Sequence, residues 1–299
     1  MSNSQQSTVN SQQSQTSKLQ SRVSNLHFDW KKIAAYAILI PVTILVGLPF
    51  LWMLSSSVKS PAEIFIDPPR WIPNEFHFEN FVLAWGKAPF AQFFFNSIVV
   101  TVSIVAIQLT TASLAAYAFA RLKFPGKNLL FLLYLSVMMV PTQVTLIPNY
   151  VTLSRLSFLN TYAALILPFI ATGFGTFLIR QQFLSIPHDL GDAARMDGAG
   201  HLRTLWHVYV PLARPALASF GLLSAMWHWN DFFWPLITTT KVEMRTMPLG
   251  LQVFAQQEAG VEWHLLMAAA IFVAAPIIIL FMLAQRQFIE GIANAGVKG

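Results

Sequence analysis

Six apolar stretches, at about 33–54, 93–118, 129–148, 162–183, 213–237 and 264–285, dominate this sequence, and each carries few or no full charges. A hydrocarbon layer about 30 Å thick is crossed by about 20 apolar residues in helical form. Backbone N–H and C=O groups find no water there, so a crossing segment must close its hydrogen bonds within itself, as a helix does. The six runs therefore predict an all-α polytopic membrane protein with six transmembrane helices. Pro41, Pro49, Pro141, Pro168 and Pro276 fall inside the runs, which predicts kinked spans. A chain that is 55% hydrophobic and only 11% charged is wrong for a soluble fold.

Residues 1–28 differ in kind. They are rich in Ser, Gln and Asn, too polar to offset the entropy of ordering, and are expected to form a disordered cytoplasmic tail, with the membrane domain over 29–299. No apolar core follows a short basic start between Met1 and Gln20, so no cleavable leader is expected. Thirteen of the 19 Lys and Arg residues fall in the N-tail, the 119–128 loop, the 180–214 segment and the C-tail; the other six, Lys59, Arg70, Lys87, Arg155, Lys241 and Arg245, fall on the opposite side. The positive-inside rule then predicts that both termini are cytoplasmic. Topology accounts for the net charge of +6, and nothing suggests a nucleic-acid surface. The outer segment of about 56–91 mixes Pro61, Pro68, Pro69 and Pro73 with Trp71, Phe76, Phe78, Phe81 and Trp85. It reads as an aromatic lid at headgroup level, with contact to a soluble partner as the other reading.

The connection between the fourth and fifth runs is too patterned for a plain loop. Pro187 suits a helix start, and Asp189, Asp192 and Asp197 crowd the turns where a helix dipole favours anions. Ala193, Ala194, Gly198, Ala199 and Gly200 leave a face with little side-chain bulk, open to close approach by another backbone. Leu202, Leu205, Trp206 and Tyr209 then resume helical spacing.

Acidic-Ala-Ala at Asp192-Ala193-Ala194, Gly198 after three residues, and Val208-Tyr209-Val210-Pro211 after nine more together resemble the EAA loop of ABC-importer permeases. Asp192 stands where that family has Glu, one methylene longer. Asn230-Asp231-Phe232-Phe233-Trp234-Pro235-Leu236, Arg245 to Leu251, and the C-terminal Gln285 to Gly299 resemble the maltose-transporter type of carbohydrate permease, in the same order. The resemblance runs from about residue 33 to the end.

It implies a type I ABC importer transmembrane domain with a coupling helix at about 187–203, seated in a cleft of a partner ATPase. The implied coupling residues are Asp192, Ala193, Ala194, Arg195, Asp197, Gly198, Ala199, Arg203 and Pro211. It also implies partners: an ABC ATPase dimer, a second permease subunit in a heterodimer, and an extracytoplasmic solute-binding protein, working in a bacterial inner membrane. The function implied is a permease subunit that forms, with the second permease, the translocation pathway for a sugar or sugar-like solute. In such relatives the stretch matching about 239–262 reaches into the binding protein, and the tail from Phe288 contacts the ATPases.

Trp227, Asn230, Asp231 and Trp234 are the candidate pathway residues, because a carboxylate within an apolar run is costly to expose to lipid, and rings beside polar groups suit sugars; the other readings are a structural hydrogen-bonded or interface position for Asp231 and membrane-boundary anchoring for the tryptophans. The alternative is an ion-coupled secondary sugar carrier, but only Asp231 offers itself as a relay acid and no internal repeat is evident. No enzyme site, metal or cofactor is expected: the histidines lack ligand spacing, cysteine is absent, and the Gly-Lys pairs at Gly86-Lys87 and Gly126-Lys127 lack the rest of a P-loop. Energy must then come from the partner ATPase.

Overall fold

The computed structural model describes the backbone of residues 30–255 and 261–296, and the side chains of 32–254 and 261–285. The tail expected over 1–28, the tip of the 239–262 stretch and the last three residues lie outside the described residues.

The chain divides into two compact units at Trp52/Met53. The first holds most of α1 (Trp30–Ser57), an apolar helix with Pro41 and Pro49 inside it. Thr43 Oγ1 donates to the Leu39 carbonyl at 2.7 Å, which satisfies its hydroxyl without leaving the helix.

In the second unit, α2 (Glu79–Gly86) precedes a 32-residue helix, α3 (Phe90–Arg121), which is the centre of the bundle. α4 (Lys127–Ser136), α5 (Thr142–Arg155), α6 (Tyr162–Ile166) and α7 (Gly173–Ser185) follow. Next come α8 (His188–Met196), α9 (His201–Leu212) and α10 (Arg214–Trp229), then the short α11 (Phe233–Thr238), α12 (Met247–Gly250) and α13 (Gln252–Ala255). α14 (Trp263–Gly296) runs well past the 264–285 expected for the last span.

Among the described residues three helices are long and apolar enough to cross a membrane, Lys32–Ser57, Phe90–Arg121 and Trp263–Gln285, and three bent pairs bring the number to as many as six. The bends are sharper than kinks. The third run turns through 93° between Lys127–Met139 and Thr142–Arg155. Pro141 lacks an N–H to continue the helix and holds Val140 extended, at ψ 115. The fourth run bends by 48° between Phe169 and Gly173, and the segment before α10 meets it at 82°.

The break in the fourth run leaves carbonyls without helical partners, and α3 supplies them. Gln108 Nε2 donates to the Phe169 carbonyl at 2.7 Å, and Thr111 Oγ1 donates to that of Ile170 at 2.8 Å. Thr172 Oγ1 accepts from the Gly175 N–H at 3.2 Å, capping α7.

α3 packs on α7 and α10, and α10 packs on α14. Ala112, Ala116 and Ala120, four residues apart on α3, give the small-residue row on which helices can close. Gly175 of α7 lies so close to the Phe220 ring of α10 that a β-carbon would collide with it. A cluster built on that row, with Ile179, Phe183, Leu205, Tyr209 and Phe220, fills the end of the unit where α3 finishes. Phe90, Phe93, Met247, Phe254 and Leu265 fill the opposite end.

Candidate functional site

The patterned segment after α7 folds as two helices around a left-handed turn, not as one helix over 187–203. Pro187 takes the position before α8 with an extended ψ of 142, and Asp189 lies in the first turn. The helix closes on a Schellman motif: the Gly198 N–H donates to the Arg195 carbonyl and the Ala199 N–H to the Ala194 carbonyl, both at 2.9 Å. Gly198 adopts φ +80, which L side chains rarely adopt. A turn later α9 begins, and a π-helical stretch at Leu205–Tyr209 interrupts it.

Six of the nine expected coupling residues lie on the outward face of this hairpin. Asp192, Ala193, Arg195, Asp197, Gly198 and Arg203 are exposed, while Ala194, Ala199 and Pro211 are half-buried. Asp192 and Arg195 form an exposed pair at 3.6 Å, one helical turn apart. Beside them stand large apolar side chains in the open: Met196 is 91% exposed, and Leu190, Leu202 and Trp206 are exposed too. An apolar patch rimmed by charges marks a contact surface.

The inward face holds residues that sequence reasoning missed. Arg121, counted there only among the basic residues of the 119–128 loop, is the last residue of α3 and is 9% exposed. Its Nη1 donates to His188 Nδ1 at 2.8 Å, and its Nη2 donates to the carbonyls of Phe183 and Ile186. Its guanidinium carbon stands 4.9 Å from the centre of the Tyr209 ring. Tyr209 also packs edge-on against Tyr117 and Phe183. Nothing in the linear pattern marks Arg121, because its partners are 62 to 88 positions away.

At the other end of α10, Trp227, Asn230 and Asp231 share a groove of about 590 Å³ with Leu223, Met226, Phe232 and Phe233. Trp227 is 71% exposed. Asn230 Nδ2 donates to the Met226 carbonyl at 2.8 Å, and Asp231 Oδ1 accepts from the Trp234 N–H at 3.2 Å, in the manner of a helix cap for α11. Trp234 does not belong to this surface. It is buried against Val100, Ile104 and Leu165, with its indole N–H donating to the Ala164 carbonyl at 2.9 Å. Three of the four predicted pathway residues come together, and the fourth is core: aromatic type and proximity in sequence do not reveal which side of α11 faces inward.

The 239–262 stretch is anchored at its base. Asn96 Nδ2 of α3 donates to the carbonyls of Glu243 and Arg245, and Ser97 Oγ accepts from the Met247 N–H. Asn160 Oδ1 accepts from the N–H groups of Thr240 and Lys241 at 2.7 and 2.8 Å. Thr246 to Gly250 are buried, so that part of the stretch belongs to the core.

Residues 108–294 match the family described as binding-protein-dependent transport system inner membrane component. The chain is 38% identical over 259 residues to a probable ABC transporter permease protein, YurM, of Bacillus subtilis, covering 86% of this chain and 85% of the relative. It is 33% identical to the arabinooligosaccharides transport system permease protein AraQ of Halalkalibacterium halodurans, over 84% of this chain and 91% of that one. Its fold is similar to that of a chain from a bacterial ABC transporter involved in the import of alginate, an acidic polysaccharide, with a TM-score of 0.78, 24% identity, and coverage of 88% and 98%. With helices suited to crossing a membrane several times and a match over more than half of its length, the chain belongs to the binding-protein-dependent transport system inner membrane components, the permease subunits of ABC importers.

Proposed function

We propose that the chain pairs with a second permease to form the translocation pathway for a sugar or sugar-like solute, and that the α8–α9 hairpin is where ATPase subunits engage it. The observation that carries the reading is the outward face of α8. A helix ending on a glycine turn presents Leu190 and Met196 to solvent beside the Asp192–Arg195 pair. A surface that must hold an ATPase and release it needs apolar contact with a polar rim. The distribution of Lys and Arg supports a cytoplasmic location for this hairpin and for both termini.

The pathway reading is supported by the groove at Trp227, Asn230 and Asp231, where exposed rings and hydrogen-bonding groups stand together as sugar recognition requires. The solute class is supported by the named substrates of the relatives, an arabinooligosaccharide system and an alginate importer.

The chain contains no cysteine, so Met196→Cys creates a unique thiol. Cross-linking of that thiol to a co-expressed ATPase is expected in membranes, while Met139→Cys, exposed at the bend between α4 and α5, gives no ATPase adduct. Equal yields from the two positions, or none from Met196→Cys in a complex that co-purifies, would overturn the assignment of α8.

A further inference from the structure

We infer that Arg121 is a positioning residue for coupling: it clamps the joint between α7 and α8, so that a displacement of α8 carries α3 and α7 with it. The inference rests on the reading of α8 as the segment that engages the ATPase.

The joint is a weak place by construction. α7 ends at Ser185 and α8 starts at His188, and the two residues between are extended, Ile186 at ψ 134 and Pro187 at ψ 142. Pro187 has no N–H with which to tie the two helices together. Left alone, such a two-residue connection is a hinge, and movement of α8 would be absorbed there.

Arg121 spans it with one planar group. The Phe183 carbonyl lies on the α7 side, the Ile186 carbonyl in the joint, and His188 Nδ1 on the α8 side. The Tyr209 ring of α9 closes the remaining face. A guanidinium is suited to this because its donors lie in a fixed fork; an ammonium on a flexible stem carries the same charge without that geometry. Burial at 9% exposure keeps water from competing for the carbonyls.

The test uses the complex of the full chain with its partner permease and ATPases, in lipid nanodiscs. Spin labels are placed at Leu184→Cys, at the end of α7, and Met196→Cys, at the end of α8; both side chains are exposed. The wild-type clamp gives one narrow distance distribution that keeps its position on trapping with ATP and vanadate. In Arg121→Lys the distribution broadens at least about twofold and shifts on trapping, because α8 now moves about the joint. Tyr209→Phe, which keeps the ring beneath the guanidinium, behaves as wild type. A wild-type distance that changes on trapping, an Arg121→Lys distribution as narrow as wild type, or broadening in Tyr209→Phe as large as in Arg121→Lys overturns the clamp. An unlabelled wild-type chain that never associates with an ATPase overturns the coupling reading itself, and the clamp's role with it; mobile labels in an assembled wild-type complex overturn only the clamp.

Discussion

The hydroxyl of Tyr209 stands 2.6 Å from the point that a β-carbon on Gly191 would occupy. α8 and α9 touch there through a contact that only glycine permits. The tyrosine cannot swing away, because it is 2% exposed and wedged between Tyr117, Phe183 and Arg121.

Gly191→Ala is therefore expected to lose about 1–3 kcal/mol of stability through overpacking. Gly221→Ala is the matched control, since its β-carbon would meet Leu109 at an ordinary 3.6 Å. Thermal unfolding in detergent should separate the two; equal melting temperatures would show that α8 adjusts without cost. Gly173 is a poor control, although its place in an apolar run makes it look neutral: a β-carbon there would come within 2.7 Å of Met138 Cγ.

At Gly198 the cost is of another kind. Nothing lies within 4 Å of an added β-carbon, but φ is +80. Gly198→Val should lose about 1–3 kcal/mol through backbone strain, and Gly198→Asn much less, since asparagine tolerates the left-handed region. On the proposed reading of α8, a loss of ATPase association in the asparagine variant beyond its small stability change is expected if the partner seats on the turn. Equal stabilities for valine and asparagine would show that the turn relaxes to another conformation.

Gln108 accepts from the Ser224 hydroxyl at 2.7 Å, donates to the Phe169 carbonyl and lies 3.3 Å from His228 Nε2. Gln108→Leu keeps the volume and strands these groups away from water, so a loss of about 1–3 kcal/mol is expected. A melting temperature matching wild type in nanodiscs would mean that the bend between α6 and α7 finds other donors.

Asn160 sits at φ +61 while its side-chain oxygen accepts two backbone N–H groups at the base of the 239–262 stretch. Asn160→Ala loses both bonds and keeps the strained backbone, so faster proteolysis within that stretch is expected, while Asn160→Asp retains the acceptor and resists. Identical cleavage rates for alanine and wild type would show that Asn96 and Ser97 hold the base without it.

His77 Nδ1, just before α2, and Glu79 Oε1, on the first residue of α2, approach to 2.6 Å. The hydrogen bond to Glu79 raises the histidine above its usual 6.5, and the same bond lowers the carboxylate below 4.5. The raised histidine contributes stability that is complete below pH 6.5 and is lost as pH rises through its folded value; the carboxylate's contribution is lost as pH falls through its own. Wild type should thus exceed His77→Gln in melting temperature at about pH 5.5, and the gap should close by about pH 9. A constant gap over that range would assign it to something other than this pair.

The membrane-crossing helices and the helix-and-turn chemistry of the 192–211 segment were legible in the linear order. Each is a local property: apolar length, and the spacing of small and acidic residues along one helix. Even the glycine that ends α8 stands where helix chemistry asks for it. The bends were only half legible, because proline marks where a helix loses a hydrogen bond but not how far the chain turns. The third run turns through 93° before Thr142, and the 48° break before Gly173 depends on packing against α3 and on whether Gln108 and Thr111 reach the freed carbonyls. Which face a residue presents was likewise decided by tertiary structure. Trp234 faces Ala164 rather than the groove of Trp227 and Asp231, and Arg121 leaves the ranks of surface charges to join α3, α7, α8 and α9. Hydrophobic length and turn chemistry act over a few residues and can be read in order along the chain, whereas the partner of a buried indole or guanidinium is set by helices that only folding brings together.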